Sequence, residues 1–167
     1  MALVLVLDLL PEPPSSLTQT GTTDSTPASN ATVINVACVG DSITAGAYPS
    51  HLQSLLGANY NVVNFGAGGR TMLKKASWTY WRTGPLKQVL SFSPAIVVLM
   101  LGTNDAKSKN WGPFHAEFPL DYKAMIDELN TISTHPKVYL MVPPPLYVDG
   151  IGASPNVLLH TAWLRYM

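Results

Sequence analysis

Four short apolar runs, residues 33–39, 61–65, 95–101 and 138–142, do most to limit what this 167-residue chain can fold into. Gly40 closes the first, Gly66 the second, Gly102 falls just after the third, and prolines 143–145 follow the fourth. The runs are continuously apolar rather than alternating, which is what strands covered on both faces require, and such strands are usually parallel. Between them the pattern predicts helices over about residues 49–56, 85–92 and 120–132, the second with Pro85 in its first turn. Strands alternating with helices and joined by right-handed crossovers build one parallel sheet with helices on both faces. The expected class is α/β, in three αβα layers. In such sheets the ligand crevice lies off the carboxyl ends of the strands, so the turns after the runs are where chemistry is sought.

The length supports one domain, placed at residues 33–167. Charged residues make up 12% of the chain, about half the usual share of roughly 25%. Fourteen prolines and 12 glycines imply many turns. Ten basic and 10 acidic residues cancel, so neither a nucleic-acid partner nor a polybasic membrane anchor is expected. Residues 1–10 are apolar but have no Lys or Arg ahead of them and contain Asp8. That fits a secretory signal poorly, and ten residues cannot span a bilayer. Residues 11–32 are rich in Pro, Ser and Thr and lack aromatics, so segment 1–32 is expected to be a disordered leader and linker. Asn30-Ala31-Thr32 is a glycosylation sequon that matters only if the chain is exported, and localisation stays open.

Cys38 is the single cysteine, which excludes an intrachain disulfide and a cysteine zinc cluster. Inside an apolar run it reads as a buried structural thiol, since a reactive one needs exposure and positive surroundings. His51, His115, His135 and His160 show no H-x-x-x-H spacing, and neither a metal nor a cofactor is expected.

Three of the turns carry polar groups suited to chemistry. Gly40-Asp41-Ser42-Ile43 follows the first run, Asn64-Phe65-Gly66-Ala67-Gly68-Gly69-Arg70 surrounds the end of the second, and Gly102-Thr103-Asn104-Asp105 follows the third. They supply a hydroxyl, accessible backbone N–H groups and a carboxamide at one sheet edge. This is the inventory for acyl transfer, in which a nucleophile attacks a carbonyl and the developing oxyanion needs donors already in place. Each turn also has a plain reading: Gly-Asp-Ser is a common turn, and Asn-Asp can cap a helix. Their order at three strand ends favours the chemical one. The glycine loop fits a dinucleotide site poorly, because Thr71 stands where G-x-G-x-x-G needs its last glycine. Arg70 reads as a solvated loop arginine, with contact to an acidic substrate as the alternative.

In these three blocks, in order and spacing, the chain from about residue 33 onward resembles the SGNH/GDSL hydrolase superfamily, and most of all its carbohydrate and sialate O-acetylesterases. The resemblance implies a flavodoxin-like αβα fold and a serine esterase acting on a small-molecule or carbohydrate ester. It implies Ser42 as nucleophile, and the Ser42 N–H, the Gly69 N–H and the Asn104 side chain as oxyanion hole. Gly69 is chosen because it lies five residues past Asn64, as the family block expects. Gly40, Asp41, Gly102 and Asp105 are the supporting motif residues.

The family's fourth block, an Asp-x-x-His carrying the catalytic base, is absent: Asp121, Asp127 and Asp149 are followed three residues on by Ala124, Asn130 and Gly152. The expectation is therefore a chain truncated before the last strand and helix, within a helix starting near Asn156, and weak as a catalyst. His115 is the least implausible substitute base; His51, His135 and His160 read as structural or exposed. The alternative is a non-catalytic module that binds acetylated sugars, with Trp78, Tyr80, Trp81 and Trp111 offering ring faces or else covering the core. Oligomeric state is not legible in the sequence.

Overall fold

The first apolar run becomes the centre of a parallel sheet. The computed structural model of the chain describes residues 32–144. Strand β1 (Ile34–Gly40) pairs in parallel with β2 (Tyr60–Gly66) on one side and β3 (Ile96–Met100) on the other, and β4 (Lys137–Leu140) pairs with β3, giving the order β2-β1-β3-β4. That is the order of a flavodoxin-like sheet. The helices are α1 (Ser42–Ala45), α2 (Tyr48–Leu56), α3 (Gly84–Phe92), α4 (Ser108–Phe114) and α5 (Phe118–Asn130), with 3-10 turns at Tyr80–Arg82 and His115–Glu117. The N-terminal run, the linker with its sequon, the helix expected near Asn156 and His160 lie outside the described residues.

Alternate residues of the central strands serve two cores, which is why their runs read as continuously apolar. Ala37, Val39, Val97 and Leu99 face one cluster together with Leu86 and Val89 of α3 and Phe118, Tyr122, Met125 and Leu129 of α5. Val36, Cys38, Ile96, Val98 and Met100 face the other, with Leu52 of α2. Helices therefore cover both faces, as expected. Burying each such Val, Leu or Met contributes roughly 1.5–3 kcal/mol before chain entropy is counted. Cys38 is buried and unpaired, and burial pushes its thiol up to about 12, in keeping with a structural role.

Strand β2 departs from the expectation of double burial. Only Tyr60 and Phe65 are fully buried in it and Asn61 and Asn64 are exposed, because it stands at the margin of the sheet. The helix starts also move: α2, α3 and α5 begin at Tyr48, Gly84 and Phe118, with Pro49, Pro85 and Pro119 in their first turns. Thr83 caps α3 by accepting the Leu86 N–H at 3.4 Å. Helix α4 was not expected, since Gly112 and Pro113 inside it argue against a helix.

Register brings the chemistry to one edge. Gly40 sits opposite Gly66 and Met100, so β1, β2 and β3 finish level and their following turns emerge side by side. The Ala67 N–H donates to the Gly40 carbonyl at 2.9 Å, continuing the ladder into the second turn. Close approach there excludes side chains: a methyl on Gly66 would run into the backbone of Thr44 and Ala45. Gly66→Ala should therefore cost about 1–3 kcal/mol, the range of overpacking, measured as a lowered urea midpoint with unchanged slope. A loss within about 0.5 kcal/mol, typical of surface changes, would show that α1 can yield.

Candidate active site

Asp41 organises the first turn. Its Oδ1 accepts the Ile43 N–H at 2.9 Å, capping α1, and Ser42 is the first residue of that helix. The Asp41 carbonyl accepts the Ala45 N–H at 2.9 Å. Ser42 is exposed, whereas Asp41 is 1% exposed. Burial raises the Asp41 carboxyl pKa and the Ile43 N–H opposes the rise. The turn thus hides the acid and presents the hydroxyl.

Asn104 joins all three turns. Its Nδ2 donates to Asp41 Oδ2 at 3.3 Å and to the Arg70 carbonyl at 3.0 Å. Two acceptors face this end of the amide, which fixes its orientation, since a carbonyl oxygen there would meet two oxygens. The Asn104 carbonyl in turn accepts from Asn110 Nδ2 at 2.8 Å. In the second turn Gly68 abuts Ser42, for a methyl on it would lie 4.0 Å from Ser42 Cβ. Gly69 has φ 72°, in the left-handed region that glycine occupies without strain. Ser42, Gly69 and Asn104 are therefore brought to one edge, and neither the Ser42 N–H nor the Gly69 N–H has a hydrogen-bond partner among the described residues.

Asp105 and Asp121 anchor the chain that follows the glycine loop. Asp105 Oδ2 accepts the Met72 N–H at 2.9 Å and Oδ1 the Leu73 N–H at 2.8 Å. Asp121 Oδ2, from α5, accepts the Lys74 N–H at 2.8 Å. Three consecutive backbone donors thus end on two carboxylates. Burial pushes the Asp105 carboxyl up to about 7 despite its two N–H donors, and the neighbouring Asp41 charge adds to the rise. The part of Asp121 was not legible in the sequence: it lies 47 positions from Lys74, and nothing local marks it.

A cleft of about 420 Å³ opens beside these groups, with Gly69, Asn104, Trp78, Asn110 and Phe114 among its lining residues. Of the four loop aromatics only Trp78 is exposed, at 60%, and the Arg70 guanidinium lies 5.0 Å from its ring centre. The others serve the core. Tyr80 is buried and donates to the Phe65 carbonyl at 2.6 Å, Trp81 Nε1 donates to the Met72 carbonyl at 2.8 Å, and Trp111 packs edge-on against Phe118.

The described histidines stand apart from Ser42. The Nδ1 of His115 lies 3.2 Å from the Trp111 carbonyl and 3.3 Å from that of Gly112, which ties the ring to the end of its own helix. His51 is an exposed residue of α2. His135 precedes β4, at the sheet edge opposite the three turns. Among the described residues none hydrogen-bonds Ser42. Also among them, no group of three or more His, Cys, Asp or Glu is placed to hold a metal, and no helix is long and apolar enough to cross a membrane.

Residues 38–165 match the model of the GDSL-like lipase/acylhydrolase family. The chain is 43% identical over 114 residues to an acetylxylan esterase from Xylanibacter ruminicola, a match covering 63% of this chain and 24% of that protein. It thus spans about a quarter of the length of that relative. Among solved structures, a carbohydrate acetylesterase family member from Sinorhizobium meliloti is 25% identical, with a TM-score of 0.56 over 69% of this chain and 65% of that one. An inhibitor-bound aryl esterase from M. smegmatis, at 22% identity and a TM-score of 0.58 over 70% of this chain and 66% of that one, shares the fold.

The raised Asp105 pKa makes stability depend on pH. A carboxyl with a raised folded-state pKa holds its proton more tightly when folded. Its contribution is complete below the unfolded value of about 4 and is lost as pH rises through the folded value, here about 7. Asp105→Asn removes that titration, so the melting-temperature advantage of the parent over this variant should shrink between pH 4 and pH 8. An advantage that grows with pH would mean that the Met72 and Leu73 N–H groups outweigh burial.

Proposed function

The chain belongs to the GDSL-like lipase/acylhydrolase family, and from that premise we propose that it carries the nucleophile and oxyanion site of a serine esterase that removes acetyl groups from a carbohydrate. One observation carries the reading: Asn104 is bonded at once to the Ser42 turn, through Asp41, and to the glycine loop, through the Arg70 carbonyl. In this reading Ser42 Oγ attacks the ester carbonyl as its proton passes to a general base, which the described residues do not include; the carbonyl oxygen becomes negative, and the alcohol leaves with that proton to give an acyl-serine that water then cleaves to free acid and serine. The Ser42 N–H, the Gly69 N–H and the Asn104 amide stabilise the oxyanion.

Asn104 enters that role from a resting state in which two acceptors face its amide nitrogen. The 3.3 Å contact to Asp41 is the longer of the two, and Asp41 keeps the Ile43 N–H when it is released. A modest turn of the amide moves one N–H from Asp41 to the oxyanion while the Arg70 carbonyl holds the other. Acetyl and carbohydrate specificity are supported by the acetylxylan esterase likeness and by the exposed Trp78 face in the cleft.

A second reading, a module that holds acetylated sugars without cleaving them, is favoured by a specific fact: the sequence has no Asp-x-x-His, and no described histidine reaches Ser42. A serine without its base loses on the order of 10⁴ to 10⁶ in turnover. This chain should therefore release nitrophenol from nitrophenyl acetate very slowly. Ser42→Ala should add little further loss, because nucleophile and base act as a unit. Ordinary esterase turnover, abolished by Ser42→Ala and cut about 10² to 10³-fold by Asn104→Ala, would instead show a base at work and dismiss the binding-module reading. Calorimetric titration with an acetylated xylo-oligosaccharide separates the two further, since the binding module gives heat without free acetate. Reading the coding sequence past Met167 for an Asp-x-x-His tests the source of the base.

A further inference from the structure

Past the glycine turn the chain makes a loop that returns on itself. Its neck is closed by the Thr71 N–H on the Trp78 carbonyl at 3.0 Å and the Tyr80 N–H on the Thr71 carbonyl at 2.9 Å. Within the loop Lys75, Ala76, Ser77 and Trp78 line the cleft, and Gly69 lines it two residues before Thr71. None of residues 72–78 belongs to a helix or strand, so the loop takes its shape from what it is tied to. Asp105 ties Met72 and Leu73. The next tie comes from α5. Asp121 Oδ2 accepts the Lys74 N–H at 2.8 Å, Oδ1 lies 4.0 Å from Lys74 Nζ, and that ammonium sits 4.1 Å from the centre of the Trp81 ring. Asp121 is 8% exposed, and a hydrogen bond so far from water is electrostatically strong. Glu117, one turn earlier, takes Lys75 Nζ at 2.7 Å, but both side chains are open to water and such a pair contributes little.

We propose that Asp121 is a positioning residue for the ester site: by holding the Lys74 N–H it fixes the wall formed by residues 75–78 and so the width of the cleft. The inference rests on the ester-binding reading and deepens it with a residue outside the cleft lining. Helix α5 is suited to be the reference, because Phe118, Tyr122, Met125 and Leu129 anchor it in the core. Tyr122 Oη, from the residue next to Asp121, accepts the Leu101 N–H at 3.3 Å, one position before the third turn begins. Neighbouring residues of one helix thus set both sides of the cleft. Tyr122 holds the end of the strand that leads to Asn104, and Asp121 holds the loop that carries Trp78. Asp105 is tied closer to Gly69 and Asp121 closer to the wall, so losing Asp121 bears on ester binding more than on the oxyanion donors.

The test is calorimetric binding of an acetylated xylo-oligosaccharide to the full chain, with amide hydrogen exchange followed by NMR. Asp121→Ala leaves the Lys74 N–H without its acceptor and should weaken binding about tenfold, the scale of one lost hydrogen bond to a charged group. Exchange should quicken at Lys74, and at Thr71 as the Trp78 carbonyl is released, by at least about tenfold more than at Met72 and Leu73, which Asp105 still holds. Asp121→Asn, whose side-chain oxygen can still accept, should restore both readings. Asp121→Ser, one bond shorter yet still polar in the first turn of α5, takes the place of the alanine variant if that fails to fold. Leu129→Val lowers stability from the core of the same helix without touching Lys74, and should leave affinity within about twofold. Unchanged affinity or an unchanged exchange pattern in the folded alanine or serine variant overturns the proposal and leaves the ester reading standing. A loss of affinity shared by Leu129→Val, or one that Asp121→Asn does not restore, overturns it equally. A parent chain that binds no acetylated ligand overturns the ester reading itself, and the proposal with it.

Discussion

Two buried carboxylates hold together the sheet edge where the three turns meet. Asp41 takes the Ile43 N–H and an Asn104 N–H, and Asp105 takes the N–H groups of Met72 and Leu73. Without these acceptors several backbone and amide donors would lie buried and unpaired, each costing about 1–3 kcal/mol. The arrangement couples the turns beyond what the sheet and the bond from Asn104 to the Arg70 carbonyl supply. Ser42 is exposed while its neighbour Asp41 is buried, and the chain after Gly69 is tied down at Met72, Leu73 and Lys74.

The same economy of polar groups explains the cleft. Acidic side chains near the site accept from backbone donors or from Asn104 or pair with Lys75, whereas Lys109 is exposed and Lys107 is half-buried with its charge acting on the Asp41 carboxyl. A chain of zero net charge thus acquires a locally positive surface without any basic run in its sequence. Low overall charge makes the local field matter more, since few distant charges compete with it.

Much of the fold was legible in order. Residues 36–39 and 96–100 had to be central, because only a doubly covered strand can be apolar at every position. β2 was read as equally buried, yet Asn61 and Asn64 already carry its marginal place in the sheet. Helix α4 escaped because Gly112 and Pro113 weigh against a helix locally, while Trp111 packing on Phe118 helps hold it from outside. The aromatics could not be sorted from sequence either. Trp78 and Trp81 are three residues apart, but one lines the cleft and the other donates to the Met72 carbonyl.

By itself the sequence determined the strands, the order of the turns and the residues they present, because apolar periodicity and glycine placement are local properties of the chain. It also determined that no Asp-x-x-His is present. Only the tertiary structure decided that Gly40, Gly66 and Met100 end level, that one amide bridges two turns, that Asp121 serves Lys74, and that the lysines after the third turn share a cleft with Trp78. Those facts depend on strand register and on partners 26 to 63 positions apart, distances over which a hydrogen bond leaves no periodic trace in sequence. Ser42 could be named from the chain alone; what surrounds it could not.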